Sequence, residues 1–247
     1  MNKPDYTLAA DQSSLTLLIF RTPLIFAASL VASSADAARP MITDDARTVD
    51  PKACQVESWV RSNRDSTEYW ALPACNFTGN LEVTFGGART HDDSGTRTTD
   101  VVLQAKTLFR KLETNSWSWG LGGGTIRHPP EHGPAGDLYA YVPVTFSLRD
   151  DRTFVHTNIG WLRQKEDGRN RMTWGLGSET ELTQRAWLIA EAYGQNEGRP
   201  FYQMGVRYWI VPNRVQTDAT YGNRFGRDSG ERWFSVGIRL LSLPFLP

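Results

Sequence analysis

From Cys54 onward the chain repeats one unit, a stretch of about ten to thirteen residues that alternates apolar and polar side chains and then a polar turn. Strands of water-soluble domains centre on about five or six residues, whereas a strand that crosses a bilayer needs about nine to eleven. Length therefore separates two readings that alternation alone leaves equal. The turns near Ser62–Ser66, Thr90–Thr96, Arg127–Gly136, Gln164–Asn170, Gln195–Pro200 and Asn223–Glu231 fall at one end of the meander. Those near Thr78–Asn80, Glu113–Ser116, Arg149–Arg152, Thr183–Arg185 and Pro212–Asn213 fall at the other and read as tighter. Short connections on one side and longer ones on the other are the layout of an up-and-down barrel threaded through an outer membrane.

The facing of individual stretches agrees with that layout. In Leu138–Leu148, Leu138, Ala140, Val142, Val144, Phe146 and Leu148 share one face against Tyr139, Tyr141, Pro143, Thr145 and Ser147. Near the C-terminus Phe234, Val236, Ile238 and Leu240 oppose Trp233, Ser235, Gly237 and Arg239. Val101–Phe109 and Arg171–Glu181 divide the same way, with Gln104 and Lys106 on one polar face and Glu179 and Glu181 on the other. About twelve such strands fit between Cys54 and Leu243, with ten as the alternative should the regions around Trp70 or Thr217 be loops; an even number returns both ends to the periplasm. The expected fold is all-β, a single transmembrane antiparallel up-and-down barrel. Pro143 within a strand suggests a bulge, and Gly175, Gly177, Gly205 and Gly237 on the inner face would relieve crowding in a narrow lumen.

The N-terminus carries an export signature. Arg21 precedes the apolar run Pro23–Ala32, which is followed by small residues and the cleavage pattern Ala35-Asp36-Ala37. A spanning helix would need about 20 uninterrupted apolar residues, and Arg21 with Pro23 interrupts the longer run. The domain reading is a signal peptide over 1–37, a periplasmic lead-in over 38–52 and the barrel over 53–247. Charge is balanced at 27 basic and 27 acidic residues, with no basic stripe, which argues against a nucleic-acid partner. All nine Trp lie within or beside the strands, as membrane–water interfaces favour, although a soluble β-core would use them too.

Two register arguments locate side chains. Cys54 and Cys75 are equidistant from the tip of the Asn63–Ser66 turn, so they face each other on adjacent strands and are expected to form a structural disulfide in an oxidising compartment. Arg207 and Asp218 are likewise equidistant from the Pro212-Asn213 turn, on polar faces. Glu179, Glu181, Glu191 and Arg239 are further inward candidates, because Arg or Lys on the lipid face costs about 2–4 kcal/mol at the midplane. Of these, Glu179, Glu191, Arg207, Asp218 and Arg239 line either an eyelet that filters solutes or a salt-bridged filling. Enzyme chemistry finds little footing. A barrel hydrolase would carry a His and a Ser two residues apart on one strand; here His156 is followed at that spacing by Asn158. His91, His128 and His132 lie in loops, and Pro129-Pro130 prevents His128 and His132 from sharing a helix turn, so no metal site is expected. Gly120–Gly124 sits inside a strand and is no phosphate loop.

Taken together, the signal, the alternating turns and the amphipathic last strand resemble Gram-negative outer-membrane β-barrel proteins. Trp233–Phe245 is similar to the C-terminal strand that the barrel-assembly machinery reads, departing from it by continuing to Leu246-Pro247. Arg39–Lys52 resembles the lead-in of a porin-like transporter group. The resemblance implies location in the outer membrane, contact with membrane lipid and the assembly machinery, a small-molecule solute, and no cofactor. It points to a passive channel without a plug domain. The alternatives are a closed structural or adhesive barrel that binds partners through its outside loops, and a lipid-modifying enzyme acting through His156.

Overall fold

Each alternating stretch becomes a strand, because only neighbouring strands can satisfy its backbone while one face stays oily. The structure, a computed structural model, describes residues 41–129, 136–226 and 230–247. The signal peptide over 1–37, the first three residues of the lead-in and His132 lie outside the described residues. The strands are β1 (Cys54–Asn63), β2 (Ser66–Asn76), β3 (Leu81–Asp92), β4 (Arg97–Arg110), β5 (Trp117–Arg127) and β6 (Asp137–Leu148). They continue as β7 (Thr153–Arg163), β8 (Asn170–Glu181), β9 (Ala186–Gln195), β10 (Phe201–Val211), β11 (Val215–Arg224) and β12 (Trp233–Leu241). Successive strands pair antiparallel, and β1 pairs with β12 from Gln55↔Leu241 to Asn63↔Trp233, which closes the barrel. Both regions that would have reduced the count to ten are strands.

The expected alternation of turn lengths holds from β5 onward, where 128–136, 164–169, 196–200 and 225–232 at one end face 149–152, 182–185 and 212–214 at the other. It fails before β5. The β1–β2 connection is only 64–65, and β4 and β5 are joined by the longer 111–116 at the supposedly tight end. The 212–214 turn is closed by Asn213 in the left-handed region, φ 57°, as a tight hairpin requires.

Facing follows the sequence pattern. Leu103, Val142, Ile159, Leu176, Met204 and Val236 form an exposed aliphatic band at mid-height. Exposed rings flank it at both ends, with Phe109, Trp117, Trp119 and Phe146 on one side and Tyr69, Trp161, Trp174 and Phe234 on the other. An apolar belt between aromatic girdles is the exterior of a bilayer-spanning barrel. Not every Trp joins the girdles: Trp59, Trp70, Trp209 and Trp233 are buried, and Trp59 stacks on Trp70 with centroids 5.0 Å apart.

Pro143 makes no bulge. Its β7 side pairs in unbroken register through Pro143↔Asn158, whereas on the β5 side pairing stops at Trp119↔Val144 and resumes in the same register at Gly122↔Tyr141. The missing N–H removes ladder bonds without inserting a residue. Pro73 does the same in β2, with pairing to β3 interrupted between Ala71↔Gly87 and Ala74↔Thr84. True register shifts occur in β4–β5 between Leu108 and Arg110 and in β10–β11 between Trp209 and Val211. The last strand ends at Leu241, before Phe245; beyond it the tail continues beside the residues that precede β1, with the Ser242 N–H donating to the Cys54 carbonyl and the Phe245 N–H to the Lys52 carbonyl, both at 2.9 Å. Cys54 and Cys75 pair in register and form a disulfide.

Candidate functional site

The polar faces of the strands converge on the lumen, and the five side chains singled out from sequence all lie on them, nearly fully buried: Glu179, Glu191, Arg207, Asp218 and Arg239. Arg207 stands opposite Asp218 in register, and its Nη1 also reaches across two strands to Glu179 Oε2 at 2.5 Å. Arg239 turns the other way, with Nε 3.2 Å from Glu57 Oε1 and 2.9 Å from Gln55 Oε1 on β1. Glu191 belongs to a separate contact. The five therefore do not form one ring.

What they surround is the chain's own N-terminal segment. The sequence places 38–52 beneath the barrel as a lead-in and finds no plug; the described part of it instead runs inside. Met41, Thr43, Asp45, Ala46 and Val49 are each at most 2% exposed. The segment forms no strand, so its backbone must be satisfied by side chains of the wall. Glu191 accepts the N–H groups of Ile42 and Thr43, each at 2.7 Å. The Asn158 amide accepts from the Asp44 N–H and donates to the Asp44 carbonyl, both at 2.7 Å. Thr145 Oγ1 accepts the Ala46 N–H and Ser118 Oγ donates to the Ala46 carbonyl, both at 2.8 Å. Lower down, Glu82 accepts the Val49 N–H and Asn76 donates to the Val49 carbonyl.

Charges lock the same segment. Lys106 Nζ lies 3.0 Å from Asp44, 3.6 Å from Asp45 and 3.9 Å from Glu82. Tyr141 donates to Asp44 at 2.5 Å. Arg47 joins Asp45 at 2.8 Å to Glu179 at 3.1 Å, so Glu179 sits between a wall arginine and a strap arginine. Each of these groups, alone in such a site, would carry a desolvation penalty of several kcal/mol; mutual pairing offsets it and makes the strap and wall one electrostatic unit. Gly175 and Gly177 supply clearance. A Cβ at Gly175 would lie 2.4 Å from Thr43 Oγ1, and one at Gly177 would lie 3.0 Å from the Met41 sulfur.

His156 is drawn into the same network. Its Nδ1 is 3.0 Å from Thr145 Oγ1 and its Nε2 is 3.2 Å from Glu179 Oε1. Hydroxyl, imidazole and carboxylate occur in the order of a nucleophilic relay. Thr145 and His156 are wholly buried, however, and the hydroxyl is occupied by the strap backbone. The same-strand spacing search missed Thr145 because it reaches His156 from the neighbouring strand, in register Thr145↔His156. Among the described residues no cluster of His, Cys, Asp and Glu has the arrangement of a metal site. His128, just past β5, lies 2.7 Å from Asp100 and 3.6 Å from Asp137; hydrogen bonding to these two carboxylates pushes its pKa up to about 10.

Towards the end bearing the 164–169 and 196–200 loops, the lumen widens into a cavity of about 330 Å³. Ile42 and Thr43 of the strap contribute to its lining, together with Tyr139, Tyr141, Arg171 and Phe201. Beside it, Trp59, Trp70, Leu72, Val102, Ile126 and Leu162 pack into an inward apolar cluster. The sequence pattern hides this cluster, since inward Trp and Leu look like outward ones when strands are read singly.

Among solved structures the chain is similar to the KdgM porin, with 8% identity and a TM-score of 0.59 over 75% of this chain and 98% of that one. It is similar to the KdgM porin in complex with disordered oligogalacturonate, with 10% identity and a TM-score of 0.57 over 75% and 98%. The NanC porin gives 12% identity and a TM-score of 0.55 over 76% and 98%. At these identities the likeness is one of fold, that of porin-like outer-membrane β-barrels. No curated protein matches the chain. The family described as uncharacterised conserved protein UCP029691 matches residues 25–241, and the chain belongs to that family.

Proposed function

We propose that the protein is a porin-like outer-membrane channel for small solutes, closed in the state described by residues 41–53, which fill the lumen as a strap. The observation that carries this reading is what fills the barrel. Interlocked wall side chains alone would make a permanent scaffold. Here, besides the inward wall cluster and the wall ion pairs, the filling includes one chain segment, continuous with the wall at Cys54 and held elsewhere by hydrogen bonds and ion pairs. The shared fold with the KdgM and NanC porins supports the reading, as does the aliphatic band that faces lipid. Export through residues 1–37, insertion by the assembly machinery through β12, and a periplasmic face at the disulfide end belong to the same proposal.

Planar-bilayer recording tests it. Purified full-length protein is expected to open rarely, and a variant lacking residues 41–50 to open in discrete conductance steps. A truncated barrel that is folded, by its altered gel mobility before boiling, yet never conducts would sink the channel reading. That outcome would favour the closed structural barrel, for which the density of strap contacts speaks. An enzymatic role for His156 predicts lipid chemistry lost in His156→Gln; no such loss is expected, because the imidazole is wholly buried and its Thr145 partner accepts the Ala46 N–H.

A further inference from the structure

We propose that the loop-end cavity is a binding site for a small ring-bearing carboxylate. The inference stands on the cavity alone and does not require that the barrel conduct. At about 330 Å³ the space lies at the lower end of ligand pockets, enough for one or two rings. Ile42 and Thr43 form part of its inner lining, so a molecule entering from the loops meets the strap.

Three guanidinium groups line this space, those of Arg171, Arg199 and Arg224, against one lining carboxylate, Glu197. The other acids that pair with these arginines stand outside the lining. Asp167 lies 2.5 Å from Arg171 and is 35% exposed where Arg171 is 8%. Glu231 lies 2.7 Å from Arg224 and is 43% exposed where Arg224 is 24%. Glu197, at 3.7 Å from Arg171, is 57% exposed. In every pair the cation is the more buried member, so the fixed charge that a guest meets is positive. Arg171 already meets Asp167, Glu197 and Gln164, so the capacity for a guest lies with the five-donor planar forks of Arg199 and Arg224, which a pair with one protein acid does not exhaust.

The rings decide what carries the carboxylate. Arg224 lies 4.4 Å over Phe201, and Phe201 stacks on Tyr193 with centroids 5.5 Å apart. A guanidinium seated on a ring presents its N–H edge sideways, beside the Phe201–Tyr193 pair that lines the same space. Carboxylate against the fork, with the ring it carries set edge-on against this aromatic pair, is the pairing that this corner offers. Two sources share that chemistry, an aromatic acid and a uronic-acid sugar. The wall deeper in the lumen holds Glu57, Glu82, Glu179, Glu191 and Asp218 against Lys106, Arg207 and Arg239, an excess of carboxylates that would hold such an anion at the entrance.

Isothermal titration of the detergent-solubilised full-length protein tests the site, with benzoate and galacturonate as probes and benzyl alcohol and galactose as their uncharged counterparts. At least one acid is expected to bind at least tenfold more tightly than its counterpart; benzoate alone would identify aromatic acids and galacturonate alone sugars. Arg199→Gln, in the β9–β10 loop, is expected to weaken that acid's binding at least threefold. Arg199→Gln with Arg224→Gln, checked for folding by gel mobility, should abolish the preference for acid over counterpart. Absence of binding by both acids, equal binding of acid and counterpart, or a preference surviving in the folded double variant would each overturn the site. None of these outcomes bears on whether the strap-free barrel conducts.

Discussion

At the scale of single residues, what decides stability is how the buried charges are shared out. Glu179 is the clearest case, because Arg207, Arg47 and His156 all converge on it. Removing Arg207 leaves a buried carboxylate with one partner fewer, and breaking such pairs costs about 3–5 kcal/mol. Arg207→Met is therefore expected to lower the temperature at which the folded gel mobility is lost, and Glu179→Gln added to it should recover part of the loss. Additive losses would contradict the coupling. His128 gives a pH dependence outside the strands. Its pKa is raised from 6.5 to about 10 by Asp100 and Asp137, so its stabilisation is complete below about pH 6.5 and disappears as pH rises through about 10. The stability gap between wild type and His128→Gln should be full at pH 6 and nearly closed at pH 10.5; a gap constant with pH would count against the charged imidazole. The inward direction of Arg207 was legible from alternation and turn position. Its bond to Glu179 was not, because β8 and β10 are separated by β9 and meet only through the curvature of the closed wall.

At the scale of elements, the sequence was most informative where a local rule sufficed. Period-two alternation located the strands, and equal distance from a turn located the Cys54–Cys75 bridge, because hairpin register is set within a few residues. Turn length was a poorer guide before β5, since a two-residue connection at 64–65 satisfies a hairpin at either end of a barrel. Pro143 and Pro73 were ambiguous for another reason. A missing N–H predicts interrupted pairing, but whether the register then shifts depends on the partner strand, and here it does not. The disulfide links β1, on which the strap hangs, to β2 at the same end of the barrel. Closing a chain loop with the observed separation of 21 residues constrains the unfolded state by about 3 kcal/mol. Cys54→Ser with Cys75→Ser should lower the urea midpoint of unfolding accordingly and leave the barrel able to form; an unchanged midpoint would mean that residual structure in the unfolded chain already imposes the constraint.

At the scale of the whole molecule, the strap is what reading the chain stretch by stretch could not reveal. Nothing in Met41–Ala53 is periodic, and its burial arises only once twelve strands have closed around it. A trace was present in hindsight: Asp44, Asp45 and Arg47 crowd a short segment next to a barrel whose inward face carries Lys106 and Glu179. The strap uses the lumen as a peptide-binding groove, with Glu191, Asn158 and Thr145 gripping its backbone and Lys106 reading its acids. A grip of that kind does not need a covalent link. A synthetic peptide of residues 41–50, added to the barrel from which those residues have been deleted, should therefore re-enter and suppress its conductance. Backbone contacts alone would let any peptide of that length do so, whereas the Lys106 contacts make Asp44 and Asp45 selective. The peptide with Asp44→Asn and Asp45→Asn should block at least tenfold less well, and Lys106→Met in the barrel should remove most of the difference between the two peptides. Equal block by both peptides on the unaltered barrel would mean that the wall holds its strap by shape and backbone, and that the buried charges only keep each other company.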